Sequence, residues 1–562
     1  MMQLLTKHRV TLILIGIVAL FVILRLPLIH APYHQDEYKW PMYANPALMA
    51  PGSVPHPPLT EFIYKYTRVI FGDDNFRLTP FFFSLVDIVL LYVVVKRRYG
   101  QSTAIGASLL FATAFFGILA SITVDTDGAI LPFFFLVSLW LYDSFMAIRT
   151  TADPKKYLWL GLMALVMLMG LMVKLSFIIG VGAIILDYII TERRVFNRRR
   201  IIMLAASLLA AVGVTVLVLY VSQFIFEGFT IARGLHYWET FFRGVTNRNY
   251  LQTAIQVVKG VLYLSPLLVL AGILGLRRLE PLKLFYIFIG AGLVFYLVIF
   301  DFSIGALDRY LAFLVLPLCV IAGYLLGRVD WKSWRSLPWW SYGVAIISAL
   351  VVFGLQFLPH VAVPVYPKAE WVHRIVFGPW NFLFSFSGGS GPLPFYVSWL
   401  YIIVSWLLVF GLAIIAFKLR GRLKQTVIVT VCLLGIVYNF TLYEELTFGR
   451  INGSARQLVY WAADIIQKDS EIKQVIVYND NGGYEIKKTG KYARRMYAVP
   501  SFEAEYRKIF SEFDGHVLVI NAPPIYPNSF YTDYLATCQA QEKNQSGKID
   551  ATIYRCRPTI VK

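Results

Sequence analysis

The feature that most limits this chain is a recurring run of apolar residues, roughly 17–25 long, divided by short polar links. About 20 helical residues cross a ~30 Å hydrocarbon core, and a helix satisfies its own backbone polar groups while doing so. Runs of this kind fall at about 10–29, 79–95, 102–121, 129–147, 157–173, 175–191, 201–222, 257–276, 284–300, 310–327, 339–358, 396–417 and 426–443. With 58% hydrophobic residues and a mean hydropathy of +0.62, the expected fold is an α-helical polytopic membrane protein with about 13 transmembrane helices. The first run is too long for a signal-peptide core and lacks a small-residue cleavage site, so a retained helix is expected.

The net charge of +19 would suit a nucleic-acid partner, but its distribution argues against one. The N-terminus, 96–98, 149–156, 192–200, 277–283, 328–335 and 418–424 hold 23 Lys/Arg and 4 Asp/Glu, whereas the alternate short loops hold 11 and 12. The first set therefore faces the cytoplasm of a plasma or inner membrane. Its surplus equals the charge of the whole chain, so topology accounts for the basicity and no nucleic-acid partner is expected. The N-terminus is then cytoplasmic and the C-terminus extracytoplasmic. Cys319 and Cys432 lie in apolar runs, while Cys538 and Cys556 lie in the outer tail, where a disulfide and two free thiols are both open.

The chain divides into a membrane domain, 1–443, and a polar tail, 444–562. In the tail, the helical pattern Ala455–Gln467 precedes alternating stretches at 474–478 and 516–520, which predicts a small α/β domain. Asn452-Gly453-Ser454 matches a glycosylation acceptor pattern, a match common by chance. The first outer loop, 30–78, has prolines at 32, 41, 46, 51, 55, 57 and 58 and apolar stretches suited to interfacial helices. A loop of this length is usually functional. The next outer loop is short and acidic, Thr123 to Gly128. Lys174 sits at an outer boundary, where snorkelling to the interface competes with a functional role. The loop 223–256 interleaves cationic and aromatic residues, among them His236, Tyr237, Trp238, Arg243 and Arg248. That mixture suits phosphate contacts and stacking, and equally an interfacial aromatic belt. Ser387 to Gly391 has the composition of a mobile segment.

The chemistry is expected on the outer face. A carboxylate there can accept the proton of a hydroxyl that attacks a sugar carbon, and carboxylates stabilise the cationic sugar-like state. Asp36 and Glu37 are adjacent, so on an extended segment they point apart. Asp36 is read as the base and Glu37 as support for the loop or a holder of a cation. A solvated acidic loop would explain one such pair, but not the second acidic loop with Asp125 and Asp127. A lipid-phosphate leaving group would need fixed cations. His56, Arg77, Lys174, Arg243 and Arg309 all map to the outer face. No ligand set for a metal is evident.

The pattern His34-Gln35-Asp36-Glu37-Tyr38, His56-Pro57-Pro58-Leu59 and Arg77-Leu78-Thr79-Pro80 resembles the first-loop signature of the GT-C superfamily. It is most similar to the branch of protein O-mannosyltransferases and the lipid A aminoarabinose transferase. Asp127, or Asp125, matches the second acidic position, and Arg309-Tyr310 resembles the late Arg-Tyr element. His56 stands where the aminoarabinose branch has Lys, and His236 aligns loosely with that branch's second-loop histidine. The resemblance covers roughly residues 10–330. It implies transfer of one sugar from a polyprenyl-phosphate donor to a protein, lipid or glycan acceptor, with the first-loop Asp as base; no cofactor is implied with certainty, and a divalent cation stays open. Two alternatives stay open. A lipid-linked glycan carrier would carry internal repeats and polar midplane sites, whereas here the midplanes are mostly apolar, with Asp87 an exception that could pair with a neighbour. An oligosaccharyltransferase of the same fold would carry a Trp-Trp-Asp motif after Tyr443, and none is present.

Overall fold

The structure, a computed structural model, describes residues 2–45, 54–148, 153–192, 198–243, 248–301, 308–329, 337–386 and 392–559. Among these, 11 helices are long and apolar enough to cross a membrane, or up to 12 with the bent pair Gln101–Thr113 and Phe115–Ile122 counted as one. The expected runs 257–276 and 284–300 join in one helical stretch, Pro266–Ile299, 34 residues long. At 1.5 Å per residue this exceeds one bilayer crossing. It is interrupted at Leu276–Arg278 by a 3-10 turn carrying Arg277 and Arg278. The protein is an integral membrane protein with a small C-terminal domain built on a sheet.

The chain forms two compact units. The first comprises 1–30, 39–264 and 268–329; the second comprises 31–38, 265–267 and 330–562.

In the first unit the most buried helix, Val315–Leu326, packs along Gln101–Thr113. Small residues permit that approach. A Cβ on Gly323 would lie 2.5 Å from the Ala107 nitrogen, and one on Gly327 would lie 2.7 Å from Thr103 Oγ1. Lipid supplies no hydrophobic drive between helices, so this close contact is what binds them. The bent pair turns by 65°, and Arg25 fills the bend. Its guanidinium donates to the Ala112 carbonyl at 2.8 Å and to Ser121 Oγ at 2.6 Å, and lies 3.6 Å from the Phe21 ring centre. A broken helix leaves carbonyls without donors, and a buried arginine fork can serve several. Elsewhere Arg98 pairs with Asp143, and Tyr142 donates to Asp187. Asp87 departs from expectation. It is buried, and neither carboxyl oxygen has a hydrogen-bond partner among the described residues.

In the second unit the helices Trp339–Gly354, Trp399–Lys418 and Gly421–Thr447 pack together. A buried polar knot follows the last of them. Asn452 Nδ2 donates to Glu445 Oε1 at 2.8 Å, and Gln356 Oε1 receives bonds from Asn452 and Ser398. Asn452 is 2% exposed, so it is a structural donor and not a surface glycosylation acceptor. The α/β fold begins at Ala455. Five strands run in the order 492–496, 475–478, 515–520, 549–556, 539–546, with the first three parallel and the last two antiparallel to their neighbours. Side chains alternate across a strand. Val475, Val477, Leu518 and Ile520 meet the helix Ala455–Lys468 on one face. Ile476, Val517 and Val519 meet Tyr506, Phe510 and Tyr534 on the other. Both faces are therefore covered, which suits a sheet with parallel strands. Cys538 and Cys556 form a disulfide that ties the helix Phe530–Thr537 to the strand Ile549–Cys556.

Candidate active site

The candidate residues fall in both units. Asp36 and Glu37 belong to the second; Asp125, Asp127, His56, Arg77, Lys174, His236, Arg309 and Tyr310 belong to the first.

In the first unit, the turn after Phe115–Ile122 carries both aspartates. Gly128 fits there because a Cβ would lie 2.5 Å from the Ala120 carbonyl oxygen. Tyr64 donates to the Asp125 carbonyl at 3.0 Å, and Arg77 donates to the Ile122 carbonyl at 2.7 Å. Arg77, expected at a phosphate, thus helps to shape the acidic turn. Lys174 lies where the helix Pro154–Val173 ends, in extended backbone before the next 3-10 turn. It does not snorkel. It is 8% exposed and its ammonium pairs with Asp127 Oδ2. Arg309 Nε lies 3.3 Å from Asp125 Oδ2. Two carboxylates and two cations therefore come together from four separate parts of the chain, Asp125, Asp127 and Lys174 buried and Arg309 nearly so, where water screens each pairing little.

The pairing divides the carboxylates. Burial works against ionisation of Asp125, but Arg309 and Lys174 overcome it and hold the group well below its ordinary value. Burial and the charge of Asp125 push Asp127 up to about 6, against the pull of Lys174. Environments that separate two carboxyls in this way are suited to acid-base work. Asp127 Oδ1 has no hydrogen-bond partner among the described residues. Burial, with Lys174 nearby, lowers His56 to about 3, so its imidazole stays neutral at ordinary pH.

Aromatic rings enclose these groups. Lys174 Nζ stands 4.5 Å over the Tyr310 ring, and Tyr310 stacks on Tyr296 at 5.5 Å. His56 stacks on Trp40 at 5.2 Å, and Trp40 on Tyr64 at 4.8 Å. A small cleft is lined by His56, Lys174, Tyr237, Trp238, Tyr296 and Tyr310. A second cavity, small and mostly apolar, has Asp127 at its wall with Phe135, Phe288 and Phe313. Charge at one end and rings at the other match an amphiphile with an anionic head.

Other expected residues sit apart from this cluster. His236 is exposed, 3.8 Å from Glu239. Arg248 donates to the carbonyls of Leu297, Val298 and Ile299, where the π-turn Phe295–Ile299 ends. The side chain of Arg243 and the segment Ser387 to Gly391 lie outside the described residues. No group of three or more His, Cys, Asp or Glu side chains could hold a metal among the described residues. Sequence reasoning missed Trp40, Tyr64 and Tyr296. Within loops and runs already rich in rings, nothing marks these three.

In the second unit, Asp36 and Glu37 occupy a 3-10 turn, Gln35–Tyr38, and not the extended segment expected. Successive side chains still diverge. Glu37 folds back, its carboxylate accepting from the His34 amide at 3.0 Å. Asp36 is half-buried, while His34, Gln35, Glu37 and Tyr38 are buried.

Residues 55–220 match the family model described as dolichyl-phosphate-mannose-protein mannosyltransferase, a span that includes His56, Asp125, Asp127 and Lys174. No curated protein matches the chain in sequence. Among solved structures, ArnT from Cupriavidus metallidurans bound to undecaprenyl phosphate aligns over 96% of this chain and 97% of its own, at 14% identity and a TM-score of 0.51. The apo oligosaccharyltransferase of Archaeoglobus fulgidus aligns over 92% of this chain and 70% of its own, at 10% identity and a TM-score of 0.43. The chain resembles the GT-C membrane glycosyltransferases of the ArnT and protein mannosyltransferase branch and has their fold.

Proposed function

We propose that this protein is a glycosyltransferase that moves a single sugar from a polyprenyl-phosphate donor to an acceptor hydroxyl on the extracytoplasmic face. The observation that carries the reading is the paired set Asp125 with Arg309 and Asp127 with Lys174 beside an aromatic cleft. Lys174 and Arg309 supply the charge for a phosphodiester, Tyr296 and Tyr310 flank it, and the apolar cavity takes isoprenoid carbon. The family description and the ligand bound to ArnT support a lipid-phosphate donor. The paired Cys538 and Cys556 support a C-terminal domain outside the cytoplasm.

In the reaction, the acceptor oxygen attacks the anomeric carbon and its proton passes to a carboxylate, the role that the resemblance of the first loop gives to Asp36. The bond from that carbon to the phosphate oxygen breaks, and the electron pair leaves with polyprenyl phosphate. Lys174 and Arg309 stabilise the charge that grows on the leaving phosphate.

Purified protein given dolichyl-phosphate mannose, alongside other polyprenyl-phosphate hexoses and pentoses, should release the polyprenyl phosphate. Asp36→Asn should lower turnover by about 10²–10⁴-fold with donor binding retained, as loss of a general base does. Normal turnover by Asp36→Asn would overturn its role. Donor that stays intact across the whole panel would overturn the reading itself.

A further inference from the structure

Residues 31–38 cluster with the C-terminal domain, more than 400 positions away in the chain by rough count. The contacts are specific. Tyr38 donates to Asp480 Oδ2 at 2.6 Å, and Tyr492 donates to Asp480 Oδ1 at 2.9 Å. Gln35 Nε2 donates to the Asn479 carbonyl at 2.8 Å, and Tyr497 donates to Gln35 Oε1 at 3.1 Å. Tyr33 and Tyr38 both pack on Tyr484. Gly483 leaves room for the acceptor, since a Cβ there would lie 2.0 Å from Asp480 Oδ1.

The backbone says the same. Gln35, Asn479 and Asp480 all have positive φ, at 43°, 50° and 57°. Non-glycine residues hold that conformation at a cost, and keep it where surrounding bonds enforce it. Here Gln35 donates to the Asn479 carbonyl, and Asp480 accepts from Tyr38, across the same contact. The result buries every neighbour of Asp36 in the turn and leaves Asp36 itself half-exposed.

We infer that the C-terminal domain is part of the catalytic machinery, with Asp480 and Tyr497 as positioning residues that fix the direction of Asp36. This rests on the role of Asp36 given above. A carboxylate displaced by about 1 Å can lose about 10²-fold in rate while the ligand still binds, so turnover and binding should separate.

The test uses the full-length protein with dolichyl-phosphate mannose as the probe, and hydrogen exchange as a second readout. Asp480→Ala should make amides 31–38 exchange at least ten-fold faster, while the strand Gly515–Ile520 keeps its protection. Its kcat should fall about 10–100-fold with KM for the donor within two-fold. Asp480→Asn, which keeps one acceptor oxygen, should restore most of both. Tyr38→Phe keeps the ring on Tyr484 and removes one hydrogen bond, so it serves if the alanine variant does not fold. Unchanged exchange at 31–38 in Asp480→Ala and Tyr38→Phe overturns the inference whatever the substrate. A loosened loop with wild-type kcat overturns it too. Asp36→Asn separates the two ideas: an inactive Asp36→Asn beside a fully active Asp480→Ala sinks this inference alone, whereas an active Asp36→Asn sinks the role on which it rests.

Discussion

Replacing Lys174 with Met tests the buried cluster most directly. Methionine keeps the length and apolar stem of the side chain, so little volume is lost. The ammonium disappears, and Asp127 faces a buried site with Asp125 still charged beside it. Removing one partner of a buried pair costs about 3–5 kcal/mol, because the remaining charge is uncompensated. That cost should depend on pH. In the wild type, Asp127 sits at about 6 against an ordinary 3.8, worth about 3 kcal/mol. Between about pH 4 and 6 the folded protein keeps a proton on Asp127 that the unfolded chain has released. This contribution therefore favours folding at the acid end and is lost as the pH rises through 6. Without Lys174 the carboxyl moves higher still. The variant should be about 3–5 kcal/mol less stable at pH 8, and the deficit should shrink below about 2 kcal/mol at pH 5, where Asp127 is neutral. Adding Asp127→Asn should recover stability at pH 8, giving a strongly non-additive double-mutant cycle. Denaturant unfolding in detergent at the two pH values reads all four proteins. A Lys174→Met protein as stable as the wild type at pH 8, or an additive cycle, would refute the reasoning.

The remaining predictions concern rate, helix packing and the disulfide. The rate of sugar transfer should rise through a pH of about 6 as Asp127 loses its proton, and Asp127→Asn should abolish that limb; His56→Gln should leave it in place, because His56 is already neutral there. Gly323→Val should prevent stable folding, measured as loss of monodisperse protein, since the added Cβ meets the Ala107 backbone at 2.5 Å. Gly106→Ala, whose Cβ would meet Gly323 Cα at 3.3 Å, should be milder. Cys538→Ser with Cys556→Ser should destabilise the C-terminal domain by about 3 kcal/mol, for a loop of 18 residues, seen as a lower unfolding midpoint under non-reducing conditions.

How much of this was legible beforehand depends on the range over which each feature is encoded. The apolar runs, the charge bias of their links and the alternation at 474–478 and 516–520 are local patterns. They determined the membrane class, the number of helices to within one or two, and the α/β tail, because hydrophobic period and length act residue by residue. Asp36, Asp125, Asp127 and Lys174 were also visible, as charges that an apolar chain has little reason to carry. Their partners were not. Whether Lys174 snorkels or pairs with Asp127, and whether Arg77 and Arg248 serve a ligand or a broken helix's carbonyls, is decided by which helices pack together. Spacing along the chain carries no record of that choice. The same holds for the first-loop turn, which rests on Asp480 and Tyr497 near the far end of the sequence. A carboxylate announces itself in the sequence because burying it is costly; the hydrogen bonds and cations that make the burial affordable exist only once the chain has closed in three dimensions.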